Sequence, residues 1–101
     1  MDKTVDRIVA RIAQAIRPEK VILFGSRATG KTRSDSDIDL LVVYRGSKAL
    51  REVQVDIHRL FKHPDFSLDV FVLSPEDFEA QKGVANTLAC EVSRRGIVCY
   101  G

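Results

Sequence analysis

Three aspartates and a glycine–serine pair are the residues of this chain best placed to do chemistry. Asp37 and Asp39 stand two residues apart in Ser36-Asp37-Ile38-Asp39-Leu40, where an apolar run begins. On a strand, residues two apart project to one face, roughly 7 Å apart at the backbone. Two carboxylates so placed repel each other and lose hydration as the strand enters a core. A Mg²⁺ ion relieves both, because it is usually held by one or two carboxylates together with substrate phosphates. Asp69 lies near the start of another apolar run, Leu68-Asp69-Val70-Phe71-Val72-Leu73. If the two runs are neighbouring strands, its carboxylate falls beside the first two. Three carboxylates can then hold two metal ions about 3.5–4 Å apart, a pair that steadies the attacking and leaving oxygens of an in-line displacement.

The glycine–serine pair supplies the other half of such a site. Gly25-Ser26 follows the apolar run Val21-Ile22-Leu23-Phe24. Glycine lets a phosphate approach the backbone with no Cβ in the way. Ser26 offers a hydroxyl and an N–H, and is expected to open a short helical turn at Arg27-Ala28 whose free N–H groups favour an anion. Arg27, Lys31 and Arg33 lie close by in sequence. A rival pattern overlaps this stretch: Gly25 to Thr32 reads G-S-R-A-T-G-K-T and satisfies the P-loop pattern G-x-x-x-x-G-K-[ST]. A P-loop lysine and threonine must open a long helix. Here only Arg33 to Asp37 separates them from the next strand, so the phosphate contact is assigned to Gly25-Ser26. Asp35 reads as solvated turn, and Glu52 and Asp56 as a solvated helix face. His58 and His63 have no partner at metal-ligand spacing.

The elements that must position these residues follow from periodicity. Val5, Ile8, Val9, Ile12 and Ile16 recur at helical spacing, and Pro18 stops that helix. Val21 to Phe24, Ile38 to Tyr44 and Leu68 to Leu73 read as strands. A helix from about Ser47 to Lys62 turns Leu50, Val53, Ile57, Leu60 and Phe61 inward. Ser74-Pro75-Glu76-Asp77 predicts a helix start, with a serine cap, proline at the first position and an acid three residues after the cap. Val84, Leu88, Ala89 and Val92 predict a last helix, with Gly96 as its cap, and Ile97 to Tyr100 a final strand. The expected fold class is α/β (α+β), a small mixed sheet flanked by helices.

Composition bounds the rest. With 101 residues, 45% hydrophobic and 30% charged, residues 1–101 are expected to form a single globular domain. Sixteen basic against 14 acidic residues, a net charge of +2, argue against a nucleic-acid coat or a membrane-surface role. No apolar run approaches the roughly 20 residues of a membrane span. Cys90 and Cys99 show no metal-binding spacing and are expected to be reduced core residues of a cytoplasmic protein.

Phe24-Gly25-Ser26-Arg27-Ala28, Ser36-Asp37-Ile38-Asp39-Leu40 and Leu68-Asp69-Val70 together resemble the nucleotidyltransferase superfamily that includes DNA polymerase β. The chain's size resembles that of the minimal nucleotidyltransferases. The resemblance implies a mixed sheet flanked by helices. It implies Gly25 and Ser26 as triphosphate contacts, with Arg27 beside them, and Asp37 and Asp39 as ligands of two Mg²⁺ ions. Asp69 is then a third ligand that helps deprotonate the acceptor hydroxyl. It further implies transfer of AMP from ATP to a tyrosine of a HEPN-type helical toxin, with this chain as antitoxin. Where many relatives carry a further basic residue before the glycine, Thr29-Gly30-Lys31-Thr32 does not, so the cation that meets phosphate is open. A non-catalytic module that masks a helical partner is the alternative. The acceptor, the nucleotide base and the oligomeric state are not legible in the residues.

Overall fold

A computed structural model describes residues 3–25, 28, 37–62 and 66–101. The elements run α1 (Lys3–Ile16), β1 (Lys20–Phe24), β2 (Ile38–Val43), α2 (Leu50–Arg59), β3 (Leu68–Leu73), α3 (Pro75–Gln81), α4 (Leu88–Arg95) and β4 (Ile97–Tyr100). This is the element order that the periodicities predict. α1 ends where Arg17 adopts a left-handed φ of 53°, just before Pro18, which cannot continue a helix. α2 is shorter than the expected Ser47 to Lys62. Leu60 and Phe61 stand just past its end, yet both still pack on the core. The Ser74 cap forms as expected, its hydroxyl accepting the Asp77 N–H at 3.1 Å.

Two departures concern the C-terminal third. Val84, expected on the last helix, lies before it and is exposed. The helix begins instead behind Thr87, whose hydroxyl accepts the Cys90 N–H at 3.1 Å. Gly96 caps α4 with an extended backbone (φ −76°, ψ 159°) rather than a left-handed one. Its small size matters for packing. A Cβ there would meet the Val92 carbonyl and the Ile22 side chain. Cys90 and Cys99 form no disulfide.

The four strands make one mixed sheet in the order β3-β2-β1-β4. β1 runs antiparallel to both β2 and β4, while β2 and β3 are parallel and joined through α2. Strand alternation divides the core into two layers. Val21, Leu23, Ile38, Leu40, Val42 and Val70 pack with α1 and α2 on one face. Ile22, Phe24, Leu41 and Val43 pack with Phe78, Ala89 and Val92 on the other. β2 is central and buried on both sides, Asp39 being its one polar residue. Burying a Leu or Ile side chain contributes about 1.5–3 kcal/mol, so β2 is the most firmly held strand of the sheet.

Candidate functional site

The topology gathers the ends that matter. Because β1 is antiparallel to β2, and β2 parallel to β3, the end of β1 lies beside the starts of β2 and β3. Gly25, Asp39 and Asp69 therefore meet at one edge of the sheet. Asp39 is the register partner of Asp69 on one side and of Phe24 on the other. Parity places Asp39 and Asp69 on the face covered by α3 and α4, the face of Leu41 and Val43. Asp37 has the same parity but precedes β2 and is exposed, as Asp69 is. The condition on Asp69, that its strand neighbour that of Asp39, is met.

Gly25 has a left-handed φ of 75°, a conformation that favours glycine. A Cβ on Gly25 would collide with Oδ2 of Asp39. The glycine thus does two things: it turns the chain at the end of β1, and it clears the space that the Asp39 carboxylate uses. The turn is tied back by the Ala28 N–H, which donates to the Gly25 carbonyl at 3.2 Å. Ser26 and Arg27 lie outside the described residues, as do Lys31, Thr32, Arg33, Asp35 and His63.

The electrostatics single out Asp39. Its carboxyl holds a proton to higher pH than an ordinary aspartate. Partial burial is the largest cause, followed by the charges of Asp69 and Asp37, a hydrogen bond with the Asp69 side chain, and the charge of Glu91. Glu91, in the first turn of α4, did not stand out in the sequence. The available signal was only an acid one turn inside a helix, and nothing local says that α4 crosses this end of the sheet. Among the described residues, no group of three or more acidic, histidine or cysteine side chains stands gathered around one point as for a metal. Asp39 and its neighbours offer only carboxylate oxygens, hard donors that suit Mg²⁺ rather than a thiophilic metal.

β3 is an edge strand, and its placement decides where Asp69 sits. Gln54 on α2 donates its side-chain N–H to the Val70 carbonyl at 2.8 Å, occupying a backbone acceptor next to Asp69. The ring of Phe71 meets that of Phe24 at a centroid distance of 5.9 Å and a tilt of 54°, spanning β2 just inside Asp39.

Comparison with known proteins agrees with this frame. Residues 6–97 match the family model "Polymerase beta, Nucleotidyltransferase". The chain belongs to the polymerase beta nucleotidyltransferase family. Among solved structures, it is similar to a candidate nucleotidyltransferase from Sulfolobus solfataricus, with 24% identity and a TM-score of 0.64 over 95% of this chain and 76% of that one. It is also similar to a chain in the crystal structure of a toxin-antitoxin with AMP-PNP, with 19% identity and a TM-score of 0.60 over 95% of this chain and 73% of that one. At these identities the two likenesses show a shared fold. Among curated proteins, none matches the chain. No helix among the described residues is long and apolar enough to cross a membrane.

Proposed function

We propose that this chain is a Mg²⁺-dependent nucleotidyltransferase that moves AMP from ATP to a hydroxyl acceptor, a tyrosine of a HEPN-type helical toxin, and thereby acts as an antitoxin. The observation that carries the reading is the in-register pair Asp39 and Asp69 beside left-handed Gly25, within a chain of the polymerase beta nucleotidyltransferase family. Similarity to the toxin-antitoxin bound to AMP-PNP supports the toxin partner and the adenine nucleotide. In this reading Gly25 and Ser26 meet the triphosphate, with Arg27 beside them. Asp37, Asp39 and Asp69 would hold two Mg²⁺ ions, which would neutralise charge on the entering and leaving oxygens. Asp69 also faces the acceptor hydroxyl and helps take its proton. A bond forms from the acceptor oxygen to the α-phosphorus, the bond from that phosphorus to the bridging oxygen breaks, and pyrophosphate leaves.

The test is to incubate the chain with ATP, Mg²⁺ and the product of its neighbouring gene, then weigh the intact proteins. The expected result is one AMP added to the partner, lost when Mg²⁺ is chelated. A partner that stays unmodified yet forms a stable, inactive complex would replace this reading with steric masking.

A further inference from the structure

Phe71 is a large apolar side chain left 42% exposed on β3, whereas Phe24, against which its ring leans, is 6% exposed. It shares strand parity with Asp69 and lies two residues further along, opposite Leu41. The α3–α4 layer covers Phe24 and Leu41 but leaves much of the Phe71 ring open. An aromatic surface that reaches over β2 to Phe24 thus borders the carboxylates on the β3 flank.

That side has a chemical meaning. In an in-line displacement, the attacking oxygen enters opposite the leaving group. With the triphosphate at the Gly25 turn, the pyrophosphate leaves towards β1. The acceptor oxygen then enters from the β3 side, β3 lying two strand spacings, about 9–10 Å, from β1. We propose that Phe71 is an acceptor-binding residue: its exposed ring packs against an aromatic ring that carries the acceptor hydroxyl and aims that hydroxyl at Asp69. The proposal rests on the nucleotidyl-transfer reading and adds the element that selects an aromatic acceptor over an alkyl one.

The test uses the full chain with Mg²⁺ and α,β-methylene ATP, which binds without transferring, and follows the Phe71 ring by aromatic NMR. N-acetyl-tyrosinamide and N-acetyl-serinamide are the probes. The tyrosine probe should shift the Phe71 ring, and the serine probe should leave it unmoved. Phe71→Leu keeps an apolar contact with Phe24. It should weaken the tyrosine probe about 3- to 10-fold while affinity for the ATP analogue stays within about twofold, and Phe71→Tyr should restore binding. A Phe71 ring that ignores the tyrosine probe overturns the proposal. So does a Phe71→Leu variant that loses the ATP analogue instead, because the ring would then serve the base. Failure of the underlying reading looks different: the wild-type chain would bind the analogue no better than Asp39→Asn, with or without Mg²⁺.

Discussion

Asp39 carries an electrostatic cost that its proposed role as a metal ligand explains. A carboxyl whose folded pKa is raised leaves the fold binding more protons than the unfolded chain. Stability therefore falls as pH rises from the ordinary aspartate range through the raised value. At neutral pH without metal, Asp39 is destabilising. Asp39→Asn should raise the melting temperature of the metal-free protein at pH 7 by about 2–5 °C while abolishing transfer. The gain should shrink as pH is lowered through the raised value to the ordinary aspartate range, where the wild-type carboxyl is also protonated. Mg²⁺ should narrow it from the other direction, by stabilising only the wild type. Thermal melts at three pH values, with and without Mg²⁺, check all of this. Gly25 makes a second prediction at this scale. Gly25→Ala should cost about 1–2 kcal/mol of stability for the left-handed backbone alone, and about 100-fold in transfer through the displaced Asp39 carboxylate. A double-mutant cycle on stability should show the cost of Gly25→Ala reduced in an Asp39→Ala background, since the collision is then gone.

The elements place the aspartates, and they differ in how firmly they do so. β2 is locked by apolar side chains on both faces, so Leu40→Ala should cost about 2–5 kcal/mol. β3 is an edge strand secured in part by a single side-chain bond from Gln54. Gln54→Ala should cost about 1 kcal/mol, or about 4–8 °C in melting temperature. It should also lower transfer by more than the stability loss explains, because Asp69 rides on the released strand; melts and transfer rates measured together check this. Most of the elements were legible in the sequence because each announces itself locally. Val5 to Ile16 has helical period, Ile38 to Val43 is a continuous apolar run, and Ser74-Pro75 is a cap. The sequence over-extends α2 because Leu60 and Phe61 continue its apolar face where the backbone bonds tighten to residues three back, Leu60 to Ile57 and Phe61 to His58. Val84 stands at helical spacing from Leu88 and so reads as core, while the Thr87 cap three residues later decides where α4 begins.

At the scale of the whole molecule, what the sequence withheld was strand adjacency. Parity told that Asp37 and Asp39 share a face. Whether Asp69 joined them depended on β2 and β3 being parallel neighbours, a contact across some thirty residues that no local pattern encodes. Packing of α4 on the sheet brings Glu91 within electrostatic reach of Asp39, and the strand order sets Phe71 beside Phe24; neither could be read from the chain. The P-loop match at Gly25 to Thr32 shows the converse: a local pattern can fit letter by letter in a chain of the polymerase beta nucleotidyltransferase family, whose next strand begins at Ile38. In the order β3-β2-β1-β4, the proposed nucleotide and acceptor sides lie on opposite flanks of β2. The most direct measurement is the rate of AMP transfer from Mg²⁺–ATP to the neighbouring gene's product by the wild type and by Asp37→Asn, Asp39→Asn and Asp69→Asn, each confirmed folded. Each substitution should lower the rate by about 100-fold or more with the fold retained. An Asp39→Asn protein that transfers AMP at the wild-type rate would contradict the proposed function.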